Sequence, residues 1–185
     1  KEGASMIIGL TGYAQSGKDS VADILVKNYG YTRIAFADPI RKLLYEMNPI
    51  VKDGGYRVQP VVDSYGWDVA KTAFPEIRTM LQSLGVGARK TFGDMFWVKQ
   101  ALNELQLFGE VNYVITDVRY PNEAKAIREY DNAQIWRIKR SGVIPVNTHA
   151  SEIAMDGEKV DQIFLNNGTL DDLKILIQTR MRGYP

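Results

Sequence analysis

The chain has no cysteine, which excludes disulfides, thiolate metal sites and a cysteine nucleophile, and fits a reducing compartment. Its single histidine is His149, so a multi-histidine metal centre cannot be assembled within the chain. No apolar run approaches the ~20 residues that a membrane helix needs. No basic stretch, apolar stretch and cleavage site occur in series, so neither secretion nor a membrane partner is expected. Neither sign of charge dominates: 23 Lys and Arg against 22 Asp and Glu leave a formal net charge of +1. Without a basic stripe, nucleic acid is not an expected partner. Any anion site must come from local geometry.

What is present is an ordinary globular mixture, 45% hydrophobic and 24% charged over 185 residues, enough for one domain with a substantial core. Lys1–Ser5, ahead of the first apolar run, are read as a remnant foreign to the domain, which is taken as residues 6–185. Met6–Thr11 is a short apolar run suited to a strand buried on both faces. Ser20–Tyr29 carries Val21, Ile24 and Leu25 at helical spacing. Tyr31–Phe36 is a second strand. Asp38 is expected to cap a helix with Pro39 in its first turn, running to Met47. Asn48–Gly66 shows no clear period and reads as an irregular loop. Helices are expected over Pro75–Arg89 and Asp94–Leu107, although Gly85 and Gly87 threaten the first of them. Strands follow at Val111–Thr116, Gln134–Lys139 and Gln162–Leu165, with helices at Pro121–Tyr130 and Thr169–Met181 and a loop over Ser141–His149. Alternating strands and helices predict a parallel sheet covered on both faces.

Between the first strand and the first helix stands Gly12-Tyr13-Ala14-Gln15-Ser16-Gly17-Lys18, with the spacing G-x-x-x-x-G-K. Glycines allow positive φ and close approach of backbone to phosphate. Successive N–H groups then line one concavity, and the following helix adds the positive end of its dipole. Lys18 brings a mobile charge to the β- and γ-phosphates. This loop, Gly12, Ala14, Gln15, Ser16, Gly17, Lys18, Asp19 and Ser20, is the candidate ATP site. The position after the lysine is usually Ser or Thr, whose hydroxyl reaches Mg²⁺; here it is Asp19, followed by Ser20. Either Asp19 or Ser20 supplies an oxygen to Mg²⁺, or Asp19 serves only the helix N-terminus. Asp117 ends the third strand, where ligands of parallel sheets collect, and is a second candidate metal ligand, with Arg119 two residues on.

Five segments, GYAQSGKDS (12–20), FADPIR (36–41), TDVRYPNEA (116–124), HASEI (149–153) and NNGTL (166–170), resemble bacteriophage-type deoxynucleoside monophosphate kinases, within the P-loop nucleoside monophosphate kinase group. The resemblance spans most of the chain after Met6. It implies an α/β, three-layer P-loop NTPase fold with a five-stranded parallel sheet, helices on both faces, a helical acceptor-binding insertion at about 38–108 and a lid at about 140–155. It implies ATP with Mg²⁺ as donor and a deoxynucleoside monophosphate as acceptor. Lys18, Asp117, Arg119 and Arg140 would then act on the transferred group. Asn166, Asn167 and Gly168 would lie next to the donor base, and Asp38, Arg41, Arg78, Gln82, Arg89 and Glu152 would serve the acceptor. It implies work in the cytoplasm, that of a host if the gene is a phage's. Related proteins often pair as homodimers, though no self-complementary patch is visible in the sequence.

Phosphoryl transfer asks for positioning and charge neutralisation more than for covalent chemistry, and arginines grip phosphates bidentately. A phosphate acceptor is already an anion, so His149 is read as structural. Most aromatics are expected in the core, with Tyr65 or Trp67 as candidates to stack on a base. Two other readings share the loop: a dephospho-coenzyme A or phosphomevalonate type kinase, and a non-catalytic ATP-binding switch.

Overall fold

A computed structural model describes residues 5–51, 55–107, 111–145 and 153–183. It holds five parallel strands, β1 (Ile7–Thr11), β2 (Thr32–Ile34), β3 (Tyr113–Ile115), β4 (Ala133–Lys139) and β5 (Gln162–Leu165), in the order β2-β3-β1-β4-β5. β1 lies at the centre because it can be buried on both faces: all five of its residues are buried. Ile8 and Leu10 point to one face. There they meet Trp136, Ile138 and Phe164, together with Val21, Ala22, Ile24 and Leu25 of α1 (Lys18–Tyr29) and, from the closing helix Leu170–Met181, Leu173 and Ile177. On the opposite face Gly9 sits under Ile127 of Pro121–Ile127, beside Ile135 and Val118. The expected three-layer arrangement, helices on both faces of a parallel sheet, is therefore what the chain forms.

The chain separates into two compact units. One comprises residues 1–35 and 104–185 and contains the sheet; the other is Phe36–Asn103. The second unit is helical: α2 (Asp38–Met47), α3 (Val58–Ala73), α4 (Pro75–Phe92) and the start of α5 (Phe96–Leu107). In chain order Pro121–Ile127 is α6 and Leu170–Met181 is α7. The second unit has its own core of Leu44, Val51, Val58, Val61, Ala70 and Ile77.

Three expectations need correction here. The stretch read as irregular to Gly66 turns helical at Val58. Pro60 is only the third residue of α3, where its missing N–H would have no helical partner anyway. Gly66 (φ 72°, ψ 163°) then interrupts the helical dihedrals and hides the period. Asp38 does not cap α2. Ala37 holds the cap position, and the Asp38 carboxylate accepts from Arg41 at 3.0 Å. Gly85 and Gly87 do not break α4. A Cβ at Gly85 would touch Ile40 at 3.5 Å, and the Gly85 carbonyl accepts from the Trp97 indole at 3.1 Å, so neighbours hold the helix through the glycine.

Gly9 tests the packing of α6 on the sheet. A Cβ there would lie 2.8 Å from the Cδ1 atoms of Ile127 and Ile135 and 2.9 Å from Val118 Cγ2. Gly9→Ala is expected to lower the unfolding free energy by about 1–3 kcal/mol through overpacking. Chemical denaturation of both proteins measures it; an unchanged midpoint would show that α6 packs loosely there.

Candidate active site

β1 is flanked by β3 on one side and β4 on the other, so chain crossovers leave it in opposite directions and open a crevice at the strands' carboxyl ends. The loop Gly12–Gly17 fills this position. Positive φ occurs at Gly12 (142°), Gln15 (64°) and Gly17 (103°). Gly17 is the N-cap of α1 and contributes no side-chain bond. The loop is hemmed in at both ends: a Cβ on Gly12 would sit 2.3 Å from the Ile138 carbonyl, and one on Gly17 would sit 2.2 Å from the Asn166 amide nitrogen. Lys18 Nζ donates to the carbonyls of Gly12 (2.6 Å) and Tyr13 (2.8 Å), which bends its charge back over the loop.

Above the loop is a cavity of about 370 Å³. Of the residues expected to act together, Gly12, Ala14, Ser16, Lys18, Asp117, Arg119 and Arg140 line it. Gln15 and Gly17 belong to the loop but not to that lining. Asp19 and Ser20 lie in the first turn of α1 and do not line it either; the Asp19 carboxylate forms an ion pair with Arg33 of β2. Asn167 accepts from the Ser141 N–H at 2.8 Å. Gly168 is pressed against Asp172, whose carboxylate and the Thr169 hydroxyl form the capping box of α7. Glu152 and His149 lie outside the described residues.

Tyr13, read among the core aromatics, lines the cavity instead, and three lining residues were not singled out from the sequence: Arg137, Lys139 and Asp156. Arg137 carried a legible signal, a lone charge between the buried Trp136 and Ile138 of a central strand. Its guanidinium donates to the backbone carbonyls of Met155 and Glu158, the latter at 3.0 Å. The Tyr13 hydroxyl donates to Asp156 at 2.8 Å, and this bond to a carboxylate raises the phenol's pKa. The turn at 155–158 is thus tied both to β4 and to the phosphate loop. Five cations, Lys18, Arg119, Arg137, Lys139 and Arg140, face the cavity against two carboxylates, Asp117 and Asp156. That excess is local, as the near-neutral chain requires, and suits a polyanion.

The backbone at Arg119 and Tyr120, just after Asp117, is held by the buried carboxylate of Glu123. Glu123 is 9% exposed, and its carboxylate accepts from the backbone N–H of Arg119 (2.6 Å) and Tyr120 (3.0 Å). Burial, with Asp117 adding to it and the two N–H bonds opposing, pushes its pKa up to about 7.

In the helical unit, Asp38 and Arg41 line a concavity of about 320 Å³ with Lys42, Tyr45, Val62 and Trp67. Trp67, a stacking candidate, is therefore beside Asp38 and Arg41, whereas Tyr65 is exposed. Arg78, Gln82 and Arg89 are not in that lining; they stand on α4, with Arg89 bonded to Asp94 at 3.4 Å.

The family model for deoxynucleotide monophosphate kinase matches residues 64–177. The chain belongs to the deoxynucleotide monophosphate kinase family. A protein of Acanthamoeba polyphaga mimivirus assigned to the same activity is 27% identical over 180 residues, covering 90% of this chain and 91% of its own. The deoxynucleotide monophosphate kinase of Escherichia phage RB69 is 32% identical over 110 residues, 57% of this chain but only 45% of the phage enzyme. Among solved structures, dephospho-CoA kinase from Campylobacter jejuni superposes with a TM-score of 0.51 at 11% identity, over 97% of both chains. TT1252 from Thermus thermophilus gives 0.50 at 16% identity over 99% and 100%. At such identities these two speak for the fold. Among the described residues no helix is long and apolar enough to cross a membrane.

The raised pKa of Glu123 predicts a pH-dependent stability. Below about 4.5 the carboxyl is protonated in folded and unfolded chains alike. As pH rises towards 7 the unfolded chain releases the proton and the folded chain resists, so stability falls, by about 3 kcal/mol at most, and levels off above 7. Denaturation between pH 5 and 8 should show this decline in the parent protein and a flatter profile in Glu123→Gln. Identical profiles would mean that the carboxyl is not desolvated.

Proposed function

We propose that the chain transfers the terminal phosphoryl group of ATP to a deoxynucleoside monophosphate, giving ADP and a deoxynucleoside diphosphate. The observation that carries this reading is the loop Gly12–Gly17 with Lys18 folded over it, opening on a cavity where five cations outnumber two carboxylates, in a chain of this family. Loop amides and Lys18 would grip the donor's phosphates. Arg119 and Arg140 would spread charge over the group in transit, and Asp117 would hold its position at the end of β3. Arg137 ties the 155–158 turn to β4 and adds to the positive field. No base is invoked, because the acceptor is already ionised.

Among the described residues no group of three or more His, Cys, Asp or Glu is placed to hold a metal. That fits Mg²⁺, which binds through one or two carboxylates with phosphates and water completing its shell. Of the cavity's two carboxylates Asp156 accepts from Tyr13, which leaves Asp117 as the candidate ligand; Ser20 is the remaining candidate on α1, since Asp19 is engaged by Arg33. Bound with the nucleotide, the ion would supply neutralisation of charge across the β- and γ-phosphates.

Acceptor recognition is assigned to the helical unit. Because α4 is continuous, Arg78, Gln82 and Arg89 fall on nearly one face, four and eleven residues apart, with the arginines about 16 Å apart along the axis. Arg78 and Arg89 would bind the acceptor's phosphate. Asp38 and Arg41 would contact its nucleoside, with Trp67 available to stack on the base.

ADP release, measured with a panel of deoxynucleoside monophosphates beside dephospho-coenzyme A and phosphomevalonate, decides the acceptor. Turnover is expected with at least one of the nucleotides and with neither of the others; silence with every nucleotide would sink the reading. Lys18→Met should lower turnover by at least about a thousandfold with an unchanged circular dichroism spectrum. Arg78→Ala should raise KM for the acceptor about tenfold or more while the KM for ATP moves little; equal effects on both substrates would remove Arg78 from the acceptor site.

A further inference from the structure

The chain leaves β5 at Asn166, and this residue reaches back 150 positions to the phosphate loop. Its backbone N–H donates to the Lys139 carbonyl at 2.7 Å, which extends the β4–β5 pairing by one step. Its side chain is turned inward; the residue is 6% exposed. The amide nitrogen donates to the carbonyl of Ser16 at 3.0 Å, in a buried bond. The same nitrogen fills the space where a side chain on Gly17 would begin.

A trans peptide points its C=O and its N–H in opposite directions. Fixing the Ser16 carbonyl towards the buried Asn166 amide therefore aims the Gly17 N–H the other way, away from Asn166. Ser16 of the same stretch is 1% exposed, and its hydroxyl has no hydrogen-bond partner among the described residues. A buried orphan hydroxyl costs free energy unless something satisfies it, and Ser16 belongs to the loop that lines the cavity. Asn166 would be an ordinary strand-end asparagine if it bonded only its own neighbourhood. Its donor goes instead to the one loop whose amide orientation decides anion binding.

We propose that Asn166 is a positioning residue that sets the Ser16–Gly17 peptide, so that the Gly17 N–H meets the phosphates of the donor. This deepens the proposed function by assigning Asn166 to the polyphosphate and not to the nucleobase.

Inorganic tripolyphosphate, titrated calorimetrically against the whole chain, separates the two, because it has phosphates and no base. Asn166→Ala, and Asn166→Asp as an isosteric variant that replaces the donor with an acceptor, should each weaken tripolyphosphate about tenfold, the loss expected for one buried hydrogen bond and its orientation. ATP should weaken by the same factor. Asn166→Asp should be the more damaging, since a carboxylate would repel both the Ser16 carbonyl and the ligand. Thermal unfolding of each variant establishes that it is folded. If tripolyphosphate binding is unchanged in folded Asn166→Asp, or if only ATP weakens, the positioning role is overturned. The readout needs no acceptor. Wild-type protein that binds tripolyphosphate but phosphorylates no nucleotide would therefore leave this assignment standing and remove the proposed reaction instead.

Discussion

The constraint on which the site depends is a backbone one: a six-residue turn must adopt positive φ three times within the span of two packed strands. Gly12 and Gly17 do so without steric cost. Gln15, at φ 64°, does so at about 1–2 kcal/mol. The turn is kept in this conformation by what surrounds it. Ile138 of β4 closes on Gly12, and Asn166 closes on Gly17. Both glycines are therefore required twice, once for their dihedrals and once for the absence of a side chain. A loop held in this way has its amides in place before any ligand arrives, so binding does not have to order it.

Electrostatics follow from the same placement. The chain as a whole carries almost no net charge, yet one cavity collects Lys18, Arg119, Arg137, Lys139 and Arg140. Parallel strands deliver their last residues to one end, so charges far apart in sequence converge there. Glu123 is instructive because it stands close to this field without opposing it strongly. With a pKa pushed to about 7, it is partly neutral at physiological pH while still accepting two backbone N–H bonds that shape the Asp117–Tyr120 turn. A freely ionised carboxylate there would add a further negative charge beside Asp117 and weaken the positive field of the cavity.

How much of this was legible beforehand can be judged residue by residue. The strand, glycine turn and helix at Met6–Tyr29 were readable because apolar period and glycine spacing are local signals. Asp117 and Arg119 were readable because they follow a strand. Asn166 was read only as part of the segment next to the donor base, and Glu123 was given no role, since their partners, the Ser16 carbonyl and the Arg119–Tyr120 amides, are backbone groups that leave no trace in residue identity. Asp156 belongs to the same class: only the fold brings it to Tyr13. The helix α3 was missed for a different reason. Pro60 and Gly66 are strong local breakers, and each is tolerated there by position, one in a first turn and the other at a kink.

The opposite error was avoided at α4 only by the structure. Two glycines in three residues lower helix propensity by about 1 kcal/mol each, and the sequence alone left the arginines on either side without a fixed relation. Packing overrides propensity here: Ile40 contacts the Gly85 position and Trp97 bonds its carbonyl. Glycine at 85 then serves close packing, not chain reversal. Once the helix is continuous, Arg78, Gln82 and Arg89 form a rigid row, and their spacing is set by the helix itself. On the proposed reading, specificity for an acceptor would be set on that row, inside a unit with a core of its own.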